Sequence, residues 1–128
     1  KIDVKVEVPD DGMWVCGDRD SINQVIYNLL ENALKFSPEE GELSLSVFKQ
    51  SGKAYVSVKN TGETIPEEDI SLIFERFHKS DRSRGMDKDG VGLGLYIVKT
   101  IIGSHGEDIA VTSRDGVTEF VFSLTLKK

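Results

Sequence analysis

The sequence predicts an α/β (α+β) two-layer sandwich, in which one sheet carries its helices on a single face. Short segments with alternating apolar residues occur near both ends and in the middle of the chain, as in strands with one buried face. Three longer segments carry apolar residues at helical spacing. The resulting order, β-β-α-β-β-α-α-β-β, favours one sheet whose helices cover a single face.

Composition limits the classes of protein that fit. The 128 residues, 38% hydrophobic and 30% charged, suit one soluble globular domain. A formal net charge of -6 argues against nucleic acid or an anionic membrane as partner. Cys16 is the only cysteine, so an internal disulfide is impossible and a reducing compartment is expected. We see no membrane span or signal sequence. Because the first methionine is Met13, we expect a piece of a longer protein.

The first half of the chain contains two short strands, a long helix and a hairpin. Apolar and charged residues alternate from Ile2 to Val8, and Met13 to Cys16 is a second short strand. Seven apolar residues between Ile22 and Phe36 share one helical stripe, and Pro38 ends this helix because proline cannot continue it. Two alternating segments then flank residues 50–53, which predicts a β-hairpin.

The second half contains a loop, two helices and two strands. Residues 60–66 are predicted as a loop, and a helix with acidic residues in its first turn runs from Pro66 to Phe77. Residues 78–89 are polar and have little to bury, which is typical of functional or disordered loops. A glycine-rich segment then opens a helix that ends at Gly103. Two strands close the chain, Ile109 to Thr112 and Val117 to Leu126.

A polar stripe on the long helix is the first candidate site. Asn28, Asn32 and Lys35 follow one another at the i, i+4, i+7 spacing beside the apolar face. Carboxamide oxygens are hard ligands that suit Mg²⁺, and an ammonium group suits phosphate. The alternative for this stretch alone is a plain amphipathic helix with an ordinary polar face.

Two glycine-containing segments are the other candidates. In residues 60–66, Gly62 permits close approach of the backbone, and Asn60 offers a donor and an acceptor. Gly90–Leu95 opens a helix whose backbone amides can hold phosphate oxygens. Three cations precede it and could close over the phosphates: Lys79, Arg82 and Arg84. The segment is neither a P-loop nor a Rossmann fingerprint, and the alternative is a mobile surface loop.

In order and spacing, these motifs closely resemble the ATP-binding catalytic domain of bacterial sensor histidine kinases, whose wider family includes DNA gyrase, the Hsp90 chaperones and the MutL repair proteins. The resemblance covers nearly all of the chain. The matches are Asn28–Phe36 (asparagine box), Asn60–Pro66 (first glycine box), Ile73–Phe77 (phenylalanine box), Gly90–Leu95 (second glycine box), Ser104–Gly106 and Thr118–Phe122. It implies the Bergerat-type ATP-binding fold, in which three helices pack on one face of a mixed, mostly antiparallel sheet.

The resemblance implies roles at the phosphate end of a bound Mg-ATP. Asn32 is similar to the family's magnesium ligand, with Asn28 as a second ligand or a phosphate contact. The other implied phosphate contacts are cations or belong to the second glycine box: Lys35, Lys79, Arg82, Arg84, Gly90, Val91, Gly92, Leu93, Gly94 and Leu95. Of all these residues, the resemblance implies a part in catalysis for Asn32, Lys35, Lys79 and Arg84.

At the base end, the resemblance places Phe36 and Thr118 beside adenine. Gly62 and Ile65 would shape the pocket floor. Asn60 stands where the family usually has an aspartate that accepts a hydrogen bond from the adenine amine, and its amide oxygen can still accept that bond. The chain departs from the family pattern at three further points: Thr64 replaces a glycine, Glu107 replaces the second glycine after His105, and the turn 116–118 is one residue shorter.

In this family the phosphate acceptor is a histidine on a separate helical dimerisation domain. Neither His78 nor His105 resembles the acceptor motif. We interpret His78 as a residue at the edge of the lid, the polar loop 78–89 that could close over the phosphates, and His105 as a structural turn residue. The resemblance implies that this fragment binds Mg-ATP and donates the γ-phosphate to the dimerisation domain of the same two-component sensor kinase. The response regulator would be an indirect partner. The full-length protein would be a membrane-bound homodimer with this domain in the cytoplasm.

Other classes of protein share some of these motifs. An ATP-hydrolysing relative of the gyrase and chaperone type would need a general base where Asn28 stands. A serine kinase of the anti-sigma-factor type has similar boxes, and a degenerate nucleotide-binding domain would serve only as an interaction module.

Overall fold

A computed structural model of the chain describes residues 3–7, 15–36, 41–75 and 94–126. The elements are β1 (Asp3–Glu7), α1 (Arg19–Phe36), β2 (Glu42–Gln50), β3 (Lys53–Thr61), α2 (Glu67–Ile70), α3 (Gly94–Ser104), β4 (Ile109–Arg114) and β5 (Val117–Thr125). Over these ranges five strands form one sheet in the order β1-β2-β3-β5-β4. β1 is parallel to β2 and the other neighbours are antiparallel, which confirms the predicted mixed, mostly antiparallel sheet.

The core lies between one face of this sheet and the helices α1 and α3. Val25 and Leu29 of α1 and Val98 and Ile102 of α3 are completely buried, each pair at the i, i+4 spacing of a single helical stripe. Facing them are alternate residues of the central strands: Val56, Val58, Phe120, Phe122 and Leu124. Each large apolar side chain that folding buries stabilises the domain by about 1.5–3 kcal/mol. Two layers therefore share one core, as the sequence predicts.

Helix α1 begins three residues before the predicted start because Asp18 caps it. The Ser21 amide donates to Asp18 Oδ2 at 2.9 Å, and this bond satisfies one of the unpaired amides of the first turn.

Within the described residues, no helix has the length and apolar character needed to cross a membrane.

Of the predicted helix Pro66–Phe77, the structure describes residues 66–75, and within them only Glu67–Ile70 is α-helical. Beyond it the backbone bonds become tighter, since the amides of Leu72 and Glu75 each donate to the carbonyl three residues earlier. The Phe74 ring meets the Phe120 ring edge-on at 6.0 Å. Phe74, an apolar residue of the predicted helix, therefore reaches the core from a turn. The predicted length of this helix was wrong within the described residues.

Two further boundaries differ from the prediction. Residues Asn60 and Thr61, predicted in a loop, are the last two of β3, because they pair with Thr118 and Val117 of β5. Of the predicted strand Met13–Cys16, Val15 forms one isolated bridge with Leu126, while residues 13 and 14 lie outside the described ranges. The hairpins β2–β3 and β4–β5 are as predicted. Each turns through two residues with positive φ, Ser51–Gly52 and Asp115–Gly116, as in type I′ turns.

Candidate functional site

The polar stripe of α1 touches the first residue of α3. Asn28 Nδ2 donates to the Gly94 carbonyl oxygen at 3.2 Å, and Asn28 Oδ1 accepts from Gln24 Nε2 at 2.7 Å. Gly94 is the helical end of the glycine-rich segment, and Leu95 behind it packs against the core. The fold therefore brings the asparagine stripe and the start of this helix into direct contact, although 66 residues separate them.

Asn32 lies one helical turn beyond Asn28 on the same stripe. Its side chain is half-buried, and no hydrogen bond within the described residues engages its carboxamide. No group of three His, Cys, Asp or Glu side chains in the described ranges is arranged to hold a metal ion. Lys35 is exposed in the last turn of α1, where the helix dipole favours a cation.

Asn60 and Thr118 form a buried polar pair at one end of the β3–β5 ladder. They lie opposite each other on the two strands, and each is only 3% exposed. Asn60 Nδ2 donates to the Thr61 carbonyl oxygen at 3.2 Å, but among the described residues Asn60 Oδ1 has no donor. A buried polar atom left without a hydrogen bond costs about 1–3 kcal/mol, so this oxygen is a candidate acceptor for a ligand.

Ser113 extends this polar pair towards β4. The Ile65 amide donates to Ser113 Oγ at 2.8 Å, and Ser113 Oγ lies 2.8 Å from Thr118 Oγ1. One of the two hydroxyl hydrogens joins the two oxygens. Among the described residues the other hydrogen has no acceptor. A free acceptor on Asn60 and a free hydroxyl donor therefore lie side by side.

The loop formed by residues 62–65 lies against the β4–β5 turn. The Gly62 amide donates to the Gly116 carbonyl oxygen at 2.8 Å, and the Gly116 amide donates to Thr64 Oγ1 at 2.7 Å. Ile65 is buried, at 3% exposure. Our sequence reasoning gave no role in the site to Ser113 or Gly116. The available signal was that Thr64 and the turn 116–118 both depart from the family pattern, and the fold brings these two departures together.

A second polar network lies at the other end of the β3–β5 ladder. Glu107 Oε1 accepts from Lys53 Nζ at 2.6 Å and from Ser123 Oγ at 2.9 Å, and Oε2 accepts from Thr125 Oγ1 at 2.6 Å. The Lys53 ammonium, with help from both hydroxyls, holds the pKa of the Glu107 carboxyl below its usual value. The same contact raises the pKa of Lys53. We call these four side chains the Glu107 network.

His105 is engaged within the fold through both ring nitrogens. Its Nε2 accepts from the Asp18 amide at 3.0 Å, and its Nδ1 lies 2.8 Å from the Ile101 carbonyl oxygen. The ring therefore joins the end of α3 to the start of α1, which supports our interpretation of His105 as a structural residue.

Part of the predicted site lies outside the described residues. This applies to Lys79, Arg82, Arg84, Gly90, Val91, Gly92, Leu93, His78 and the side chain of Phe36. For these positions the sequence prediction stands as it was made.

Comparison with known proteins gives consistent matches. Residues 17–128 match the family described as histidine kinase-, DNA gyrase B-, and HSP90-like ATPase. The sensor histidine kinase WalK of Bacillus subtilis is 40% identical over 124 residues, which cover 94% of this chain and 20% of WalK. The chain therefore spans about a fifth of the length of that relative.

Two solved structures of histidine kinases are also similar to this chain. The catalytic domain of histidine kinase ThkA is 34% identical with a TM-score of 0.84, over 97% of this chain and 80% of that one. Full-length ShkA in complex with AMPPNP is 27% identical with a TM-score of 0.81, over 99% of this chain and 26% of that one.

Proposed function

This chain belongs to the histidine kinase-, DNA gyrase B- and HSP90-like ATPase family, and we propose that residues 1–128 are the ATP-binding catalytic domain of a sensor histidine kinase. The domain binds Mg-ATP and donates the γ-phosphate to a histidine on a separate dimerisation domain of the same kinase. The contact between Asn28 and Gly94 carries this proposal, because it joins a row of metal and phosphate ligands to a helix N-terminus.

At the phosphate end, Asn32 is the principal ligand for Mg²⁺. Its oxygen has no partner within the described residues, whereas the Asn28 oxygen already accepts one hydrogen bond from Gln24. Asn28 therefore serves as the second metal ligand or as a phosphate contact. When bound, Mg²⁺ supplies charge neutralisation between phosphate oxygens. Further positive charge and backbone amides come from Lys35, Lys79, Arg82, Arg84 and the segment Gly90–Leu95.

At the base end, the free acceptor and free donor match the edge of adenine. Asn60 Oδ1 accepts from the exocyclic amine, and the spare hydroxyl hydrogen on Thr118 or Ser113 is donated to a ring nitrogen. Guanine presents a carbonyl oxygen where adenine has its amine, so it would set two acceptors against each other. Gly62 and Ile65 form the floor of this pocket, and Phe36 stands where the family has an aromatic ring against adenine. The AMPPNP bound to ShkA supports a nucleotide ligand.

The partner of this reaction is a dimerisation domain of the same protein. Both nitrogens of His105 are already engaged, and His78 lacks the acceptor motif, so the acceptor histidine belongs to another domain. A response regulator then takes the phosphate. We further propose that the whole protein is a membrane-bound homodimer with this domain in the cytoplasm.

Titration of the purified domain with ATP and Mg²⁺ tests the nucleotide site. We expect Asn32→Ala to weaken Mg-ATP binding at least about tenfold, as loss of a metal ligand or its support does. Asn23→Ala removes an exposed carboxamide from the same helix and should bind like wild type. A wild-type domain that does not bind Mg-ATP contradicts the proposal and favours an interaction module.

Incubation with γ-labelled ATP tests the phosphate transfer. The isolated domain should remain unlabelled, and an added dimerisation domain should take up the label only when Asn32 is intact. Label on the isolated domain would contradict the assignment of the acceptor to another domain.

A further inference from the structure

We propose that Thr64 is a positioning residue for the base side of the nucleotide site. Its hydroxyl holds the 62–65 loop on the β4–β5 turn, so that the pocket floor is formed before nucleotide binds. This inference rests on the proposed function and adds to it a residue where the family pattern has glycine.

The loop is fastened to the turn through both polar groups of a single residue. The Gly116 amide donates to Thr64 Oγ1 at 2.7 Å, and the Gly116 carbonyl oxygen accepts from the Gly62 amide at 2.8 Å. A glycine at position 64 would leave only the second bond and a freer backbone. The hydroxyl therefore converts a single attachment into two.

The short turn places the Gly116 backbone next to the loop. Asp115 and Gly116 have φ values of 53° and 80°, a backbone conformation that reverses the chain in two residues. A Cβ on Gly116 would lie 3.4 Å from the Gly62 carbonyl oxygen, so the turn and the loop are in close contact. The shortened turn and the threonine, both departures from the family pattern, are complementary.

A continuous set of contacts leads from Thr64 to the base pocket. Its neighbour Ile65 is buried and donates its amide to Ser113 Oγ at 2.8 Å. Ser113 Oγ is in turn 2.8 Å from Thr118 Oγ1, and Thr118 lies opposite Asn60. The position of the loop therefore sets the direction of the hydroxyl that faces the base. A loop that is already ordered in the free domain loses less conformational entropy when the nucleotide binds, which favours binding.

Three variants measured with ATP and ADP test this role. Thr64→Val keeps the shape and removes the hydroxyl, and we expect roughly three- to tenfold weaker binding of both nucleotides, by the same factor because the loss is on the base side. Thr64→Ser restores the hydroxyl and should bind like wild type. Thr112→Val is the matched control, since it removes an exposed hydroxyl from β4 next to Ser113. In phosphate transfer to the dimerisation domain, Thr64→Val should raise KM for ATP and leave kcat unchanged.

The outcomes separate this inference from the proposed function. Wild-type affinity in Thr64→Val, or equal weakening in Thr64→Ser, would overturn the role of the hydroxyl while Asn32→Ala still loses Mg-ATP. Thermal unfolding curves of all variants identify the temperatures at which every variant is folded. If Thr64→Val loses affinity only at higher temperatures, where it begins to unfold, the positioning role of Thr64 would also be overturned. Failure of the wild-type domain to bind ATP would instead remove the proposed function.

Discussion

The two ends of the β3–β5 ladder carry polar networks of opposite character. At one end the Glu107 carboxylate accepts three hydrogen bonds from Lys53, Ser123 and Thr125. At the other end the buried Asn60 oxygen has no donor among the described residues. A polar network whose groups hydrogen-bond one another can stabilise the fold, whereas a buried polar group without a hydrogen-bond partner requires an explanation such as a bound ligand. We infer that the Glu107 network supports the fold and that the Asn60 end receives a ligand.

The hairpin turns at the two ends show the same contrast. Gly52 and Gly116 both have φ of 80°. A Cβ on Gly52 would meet nothing within 4 Å, whereas one on Gly116 would approach the Gly62 carbonyl oxygen. The same local conformation therefore only reverses the chain at one end, and at the other end it also contacts the 62–65 loop.

The largest expected effect is on stability, from Glu107→Ala. We expect a loss of about 2–3 kcal/mol, because the change removes three hydrogen bonds and leaves the buried Ser123 hydroxyl without its acceptor. Urea unfolding measures it, with the exposed Glu42→Ala of β2 as control, expected within about 0.5 kcal/mol of wild type. ATP affinity should not change, and a large loss of affinity in Glu107→Ala would break the distinction between the two ends.

Asn60→Ala should give the opposite result. We expect ATP affinity to fall about tenfold, since the variant lacks the acceptor for the adenine amine. Stability should change by about 1 kcal/mol or less, because in the described part of the chain only the bond to the Thr61 carbonyl oxygen is lost. Isothermal titration and thermal unfolding of the same samples test both statements. Equal ATP affinities of variant and wild type would remove the role of Asn60.

The two turn glycines provide a matched pair of variants. Alanine in the left-handed region costs about 1–2 kcal/mol, so Gly52→Ala and Gly116→Ala should destabilise the domain by similar amounts. Only Gly116→Ala should also weaken ATP binding, because the Gly116 backbone is hydrogen-bonded to Gly62 and Thr64 and strain in this turn therefore reaches the loop. If both variants bind ATP like wild type, the β4–β5 turn has no part in the pocket.

The smallest expected effect is a dependence of stability on pH at the Glu107 end. Because Lys53 lowers the folded pKa of Glu107, this stabilisation is complete above the unfolded pKa of about 4.3. It is lost as the pH falls through the lower folded value. The difference in thermal midpoint between wild type and Glu107→Gln should therefore shrink from pH 7 to pH 3. The corresponding difference for Asn60→Ala should stay constant, since that side chain does not titrate.

Much of the fold is predictable because its signals are local. Periodicity alone identifies α1, α3 and both hairpins, and it places Asn28, Asn32 and Lys35 on one stripe. The resemblance to the kinase family then supplied the ligand and the roles of the site residues, and those roles stay predictions.

The features that the sequence did not predict depend on contacts between distant segments. The hydrogen bond between Thr64 and Gly116 joins residues 52 positions apart, and no periodicity encodes it. The same holds for the extension of β3 through Asn60, which its pairing with Thr118 maintains. The α2 region is shorter than its apolar spacing suggested because Phe74 reaches the Phe120 ring from a turn. Tertiary packing outweighs local propensity at each of these positions.

Strand β1 has a consequence for self-association. It lies beside β2 in register, with Val4 opposite Leu43, and is the parallel member of the described sheet. Without it, β2 would present a row of unpaired amides and carbonyls, which is a template for pairing with a second chain. A shortened protein that lacks residues 1–7 should therefore form larger assemblies as its concentration rises, even though it keeps every residue of the proposed nucleotide site.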